Sequence, residues 1–213
     1  YSINFADRQI LSVLIEPIKA DLGLSDTQLG LLTGFAFAVF YATLGVPIGR
    51  LADRANRVSI ISAAAAIWSL MTAVSGLAQN FWQLGAARIG VGIGEAGYTP
   101  PAHSMIADLY PAEKRAGAMA IYQLGIPIGS VAGLMVGGWV NEIWGWRMAF
   151  LVVGAPGLLL AVFLKVFVRD PERTLSSESD HAADGPTYSE ALQRARPRRA
   201  DELALSGRHT PPL

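Results

Sequence analysis

Two charged side chains, Arg88 and Glu95, interrupt the otherwise apolar stretch from Phe81 to Leu109. Seven positions separate them, so a helix places both on one face, about 10 Å apart along its axis. A charge at membrane depth costs roughly 2.5–3.5 kcal/mol on insertion scales, so two on one face call for partners or a watery cavity. The default chemistry of such groups is an ion path or a proton relay. The plainer alternative is an ion pair that only fixes helix packing. Asp7, in "NFADRQI", is the natural third member. Arg8 follows it directly, and adjacent residues on a helix point in different directions. The two therefore need not share a cavity, and Arg8 is free to reach the aqueous interface.

The same stretch offers a rival chemistry. Gly92-Ile-Gly94-Glu-Ala-Gly97 fits G-x-G-x-x-G, and Glu113 lies about 20 residues on, where the dinucleotide fingerprint wants an acid. That fingerprint needs a strand before it and a helix after it, inside a βαβ unit. No separate strand or turn dipeptide precedes this one. Ala86, Gly90 and Gly94 instead recur at helical spacing. The nucleotide reading fails on context.

The elements that must position these residues look like membrane helices. The chain has 213 residues, 52% of them hydrophobic, and a formal net charge of 0; its mean hydropathy is +0.35. That charge balance argues against nucleic acid as a partner. With no cysteine there is no disulfide, thiolate metal site or cysteine nucleophile. His103, His181 and His209 do not cluster in sequence, which argues against a zinc site; no metal or cofactor is expected.

Crossing a bilayer takes about 20 mostly apolar residues. Five runs qualify, at Thr27 to Leu51, Val58 to Ala78, Phe81 to Leu109, Ala112 to Val140 and Arg147 to Val168. The opening "YSINFADRQILSVLIEPI" reads as a further helix whose first turns are missing. Ser25-Asp-Thr-Gln28 fits a capping box, Asn80 suits an N-cap, Pro111 suits a first turn, and Gly145 can end a helix. Trp82, Trp139, Trp144 and Trp146 fall near run ends, as an aromatic belt would. Arg50, Arg54 and Arg57, then Lys114 and Arg115, then Lys165, Arg169 and Arg173 occupy alternate connections. The positive-inside rule puts these in the cytoplasm, giving six spans with both ends cytoplasmic. Two small-residue stripes, Gly30/Gly34/Ala38/Ala42 and Gly125/Gly129/Gly133/Gly137, let another helix approach closely. Residues 1–168 thus form a transmembrane region, and residues 169–213 a polar cytoplasmic tail expected to be disordered.

"GRLADRANR", Gly49 to Arg57, closely resembles the signature loop of the major facilitator superfamily, through Gly49, Leu51, Asp53, Arg54 and Arg57. Asn56 stands where a glycine is usual, and Asn tolerates left-handed geometry better than most residues. "RIGVGIGEA" resembles the family's fourth-helix motif and "GIPIGSVAGLMVGG" its fifth helix. "NFADRQILSVLIEPIKADLGLSDTQLGLLTG", "GVGIGEAGYTPPAHSMIADLYP" and "GWRMAFLVVGAPGLLLA" look like the spinster branch. The resemblance covers about residues 2–173.

It implies an all-α membrane fold: the six-helix N-terminal bundle of a major facilitator transporter, with an incomplete first helix. It implies proton coupling through Asp7, Arg88 and Glu95. It assigns Gly49, Asp53, Arg54 and Arg57 to a cytoplasmic gate loop, with Asp108 placed to pair with it. Its substrates would be amphipathic lipids or organic anions, carried by alternating access in a multi-pass cell-membrane protein (the inner membrane if the source is Gram-negative). Tyr41, Trp68, Tyr98 and Tyr122 are candidates to line the substrate cavity, or else ordinary packing aromatics.

The family has two six-helix halves with substrate between them. Beyond "TYSEAL" no apolar run follows, so the chain is expected to be a truncation, with its C-terminal half missing, or a half-size protein that dimerises. The rival reading in another class is an inactive or non-transporting membrane fragment.

Overall fold

The structure, a computed structural model, describes residues 1–52 and 54–171. Asp53 of the gate loop, and the polar tail from 172 onward, lie outside the described residues.

The first helix, α1 (Ser2–Leu22), buries Asn4, Asp7, Ile10, Leu11, Leu14 and Ile18, a stripe at three- and four-residue spacing. It ends at Gly23, whose φ of 62° is left-handed and suits glycine, which has no Cβ to clash. The expected capping box opens the next rod: Ser25 N donates to Gln28 Oε1 at 2.9 Å and Gln28 N to Ser25 Oγ at 3.3 Å. That rod is α2 (Asp26–Gly30), a π-helical segment (Leu31–Phe35) and α3 (Ala36–Ala52).

Asn56 corrects one expectation. Its backbone is extended, at φ −66° and ψ 114°, not left-handed. Its Oδ1 accepts from Ser59 N at 2.8 Å and Ser59 Oγ at 2.9 Å. Asparagine here caps α4 (Arg57–Ser75) by satisfying one of the amide donors that every helix start leaves free. Asn80 does the same for α5 (Phe81–Ala96), accepting from Gln83 N at 3.0 Å.

Two expected runs are not single helices. The run from Phe81 to Leu109 divides at Gly97 and Tyr98 into α5 and α6 (Thr99–Leu109). Pro100 and Pro101 have no N–H for the carbonyls of Ala96 and Gly97, so the helix restarts with both prolines in its first turn. The run from Ala112 to Val140 divides at Leu124 into α7 (Ala112–Gln123) and α8 (Gly125–Phe167); Pro127 likewise has no N–H for the Gln123 carbonyl. The decisive corner lies inside α8, at Gly145, with φ 80° and ψ 168°. Among the described residues, two stretches qualify alone as membrane spans by length and hydropathy, Arg57–Ser75 and Ala112–Phe167. α5 and α6 are individually short, while α1 carries Asp7, Arg8 and Glu16.

α8 organises the packing: it contacts both α1 and α4, and α4 packs in turn on α5. The stripe Gly125/Gly129/Gly133/Gly137 lies directly against α1. A Cβ at Gly133 would sit 2.6 Å from the Ala6 carbonyl oxygen, and one at Gly137 would sit 2.9 Å from Ile10 Cγ1. Ile10, Leu14, Ile18, Leu84 and Phe150 share one buried cluster; Ile61, Ala65, Trp68, Val91 and Tyr98 share another. The outer faces of α7 and α8 expose Ile121, Ile128, Met135, Val162 and Phe167, an apolar surface suited to lipid.

Candidate functional site

Asp7, Arg88 and Glu95 all lie inside the bundle, with Asp7 0% and Glu95 1% exposed. α1 presents Asp7 on its buried stripe, and α5 presents Arg88 and Glu95 on one face. Arg88 and Glu95 are neighbours in charge, yet each has another hydrogen-bonding partner. Arg8 Nε donates to Glu95 Oε2 at 3.1 Å, and Arg8 Nη2 donates to the same oxygen. Arg8 therefore turns inward rather than to the interface, and it also lies over the rings of Phe5 and Tyr41, at 5.3 and 5.6 Å. Arg88 donates to Ser75 Oγ from Nη2 at 2.7 Å and from Nε at 3.2 Å, with its guanidinium 5.0 Å from the Phe150 ring centroid.

Asp7 is different. Neither of its oxygens has a hydrogen-bond partner among the described residues. The groups acting on it are Glu95, Arg88 and the Trp68 indole. A cavity of about 110 Å³ opens beside this layer, lined by Arg8, Leu32, Thr33, Arg88, Val91 and Glu95, with Leu11. Sequence reasoning missed Arg8 and Ser75 as partners. A signal for Ser75 was present: Ser69, Thr72 and Ser75 recur every third position in an apolar helix, and all are fully buried.

A second cluster gathers where α4 begins and α6 ends. Arg57 donates from Nη1 to Asp108 Oδ2 and, at 3.1 Å, to Ser104 Oγ. Its Nε reaches Asp170 Oδ1 at 2.8 Å, its backbone N reaches Asp170 Oδ2 at 2.6 Å, and Nη2 reaches the Pro171 carbonyl at 2.8 Å. One guanidinium thus joins the start of α4, the end of α6 and the segment after α8. Five donors in a rigid fork make arginine suited to that task. The expected pairing of Asp108 with the loop is present; Asp170 is an additional partner. Arg54 is exposed and Gly49 partly exposed.

The four candidate cavity aromatics divide. Trp68 and Tyr98 are buried and meet edge to face at 5.0 Å. Tyr41 and Tyr122 are half-buried. Tyr1 stacks on Tyr122 at 4.3 Å and on Tyr98 at 6.3 Å.

At the opposite end, Arg147 pairs with Asp21, and its Nη2 donates to the Ala78 carbonyl at 3.2 Å. Trp146 Nε1 donates to the same aspartate oxygen at 3.2 Å.

Residues 1–206 match the Major Facilitator Superfamily. The chain belongs to that family of multi-pass membrane transporters, and its described residues have the all-helical fold of the family's N-terminal half. Within the family it is spinster-like. A crystal structure of a bacterial homolog to the human lysosomal transporter spinster, inward-facing and unoccupied, superposes with a TM-score of 0.76 at 44% identity, covering 81% of this chain and 42% of that one. An MFS-type efflux pump of Mycolicibacterium smegmatis is 39% identical over 186 residues, 86% of this chain and 43% of the pump. Protein spinster of Drosophila melanogaster is 30% identical over 206 residues, 96% of this chain and 34% of that protein. The chain spans less than half the length of these relatives.

Proposed function

We propose that this chain is the N-terminal half of a proton-coupled secondary transporter that moves amphipathic lipid-like or organic-anion substrates by alternating access. The observation that carries this reading is the buried layer in which Arg88 acts on both Asp7 and Glu95 while Arg8 pairs with Glu95. Burial disfavours a charged carboxylate and a nearby guanidinium favours it. A conformational change that alters either term ties protonation to the inward–outward equilibrium. Glu95 already has its arginine, whereas Asp7 has no hydrogen bond among the described residues, so Asp7 is the group more open to exchange its proton.

The Arg57 cluster acts as the cytoplasmic gate on this half. It holds three separated segments together and must yield if they part. With the basic connections inside, both ends of the half face the cytoplasm. A second six-helix half, in the same chain or a second copy, supplies the other wall of the cavity. Lipid-like cargo is favoured by the resemblance to spinster; a thermal-shift screen of lysolipids, sphingoid lipids and organic anions separates it from organic-anion cargo.

The test is proton-dependent uptake by the full-length transporter in proteoliposomes. Asp7→Asn or Glu95→Gln is expected to abolish the dependence on a pH gradient while expression stays intact. Unchanged gradient dependence in both variants defeats the reading.

A further inference from the structure

α4 and α8 come into close contact at Gly154 and Gly157. A Cβ at Gly154 would sit 2.8 Å from the Ser69 carbonyl oxygen, and one at Gly157 would sit 3.0 Å from Ser69 Cβ. Past this contact, toward the start of α4 and the end of α8, the facing side chains are too small to fill the gap. They leave an open groove of about 460 Å³, lined by Ala63 and Ala66 of α4 and by Ala161, Val162 and Val166 of α8. From Ser59 to Ala66 the groove follows α4 for about 10 Å, much of the roughly 15 Å hydrocarbon depth of one leaflet. Val162 and Val166 are exposed, as are Phe163 and Phe167 beside them, so the groove opens onto the apolar outer surface rather than into the bundle. It shares no residue with the cavity beside Asp7.

Its polar end is built around one cation. Between Val58 and Ser75, and between Met148 and Val168, Lys165 is the one charged side chain. Lys165 lines the groove with Ser59 and Ser62, and its Nζ donates to Ser59 Oγ at 2.7 Å. That hydroxyl spends its own proton on Asn56 Oδ1, at 2.9 Å, so the cap of α4 turns an oxygen lone pair toward the lysine. An ammonium has three donors, and Ser59 takes one. Among the described residues Lys165 meets no carboxylate; Asp108 and Asp170, the acids near the start of α4, are both engaged by Arg57. An oriented, exposed ammonium with spare donors thus stands at the head of an apolar groove.

We propose that this groove holds an anionic phospholipid of the surrounding leaflet, with its phosphate on the Lys165 ammonium and the upper part of one acyl chain between α4 and α8. Both halves of the site are needed for that occupant. A soluble anion has no use for the apolar groove, and an uncharged lipid leaves the ammonium uncompensated. On the orientation proposed above, the leaflet is the cytoplasmic one, whose anionic headgroups are drawn to basic pockets between helices. The lipid is a resident of the outer surface, separate from any cargo carried through the interior.

The experiment uses the full-length transporter in phosphatidylcholine vesicles that carry a trace of photoactivatable lipid. Two lipids are compared, with the same diazirine-bearing acyl chain but a phosphatidylglycerol or a phosphatidylcholine headgroup. Cross-linked peptides are mapped by mass spectrometry. The phosphatidylglycerol form is expected to label residues 59–66 and 161–166 well above the phosphatidylcholine form. Lys165→Gln should lower that excess about five-fold, the effect of one cation at a membrane surface, and Lys165→Arg should keep it. Lys114→Gln, at an exposed lysine in another connection, should match the parent. Equal labelling by the two lipids overturns the inference. So does an excess that Lys165→Gln leaves alone or that Lys114→Gln lowers as much. A groove labelled by neither lipid is covered by protein, and inorganic phosphate that displaces the label as well as unlabelled phosphatidylglycerol marks a plain anion site; either result overturns it too. If Lys165→Gln does not fold, Ala63→Phe decides, because it fills the groove from an exposed position. Labelling of residues 161–166 by the phosphatidylglycerol form should then fall to the phosphatidylcholine level, and labelling that persists overturns the inference.

Discussion

Two glycine-lined rods in this molecule share a four-residue spacing but meet different surroundings. On α8, a Cβ at Gly125, Gly129, Gly133 or Gly137 would collide with α1. On the rod from Asp26, the Cβ positions of Gly30 and Gly34 have no described atom within 4 Å. Gly34 also lies in the π-helical segment, a local rewinding that is often found at functional places. The spacing therefore reports a capacity for close approach. Whether a neighbour uses it depends on which way the helix is turned.

Substitutions can break or sharpen that contrast. Gly133→Leu carries the largest expected effect. The atoms in its way are Ala6 backbone, 2.6 and 2.7 Å from the new Cβ, so α1 must move bodily, at about 3 kcal/mol. Thermal unfolding in detergent should show a large loss, and an unfolding temperature near that of the parent would refute the packed reading. Gly137→Ala comes next, at about 1 kcal/mol, because it adds one methyl group and the Cγ1 atom it meets belongs to the Ile10 side chain rather than to backbone. A larger loss than for Gly133→Leu would reverse the ranking. Gly34→Ala should change stability least, by about 0.5 kcal/mol or less. A strong loss there would mean that the rod is already packed. Unchanged unfolding combined with slower transport would sharpen the contrast, marking the bare stripe as a surface used during the cycle.

The sequence discloses much of the frame because its signals are local. Ser25 with Gln28, and Asn80 with Gln83, are caps written within four residues, and both form. Gly145, suited to end a helix, breaks α8 at φ 80° and ψ 168°. Arg57 and Asp108 belong to motifs whose positions imply the pairing. The misreadings share a physical cause. Backbone freedom points Asn56 to a left-handed turn, while its side chain finds Ser59 first. Hydropathy joins the runs ending at Leu109 and Val140, since it does not register the missing N–H groups of Pro100, Pro101 and Pro127. The partners of Arg8 and Arg88 depend on the rotation of three helices about their axes. Spacing along one helix says which residues share a face, not what that face meets.

Gly145 has a mechanical consequence. It supplies the whole connection between the two limbs of α8, leaving no slack that would let one limb slide along the other. Arg147, two residues on, is fastened to Asp21 and to the Ala78 carbonyl, and Gly76 lies directly against its backbone. The ends of α1 and α4 and the corner of α8 are thus pinned to a common point. If these helices shift relative to one another, displacement is least at this corner and grows with distance from it, toward the Arg57 cluster at the far end of α4.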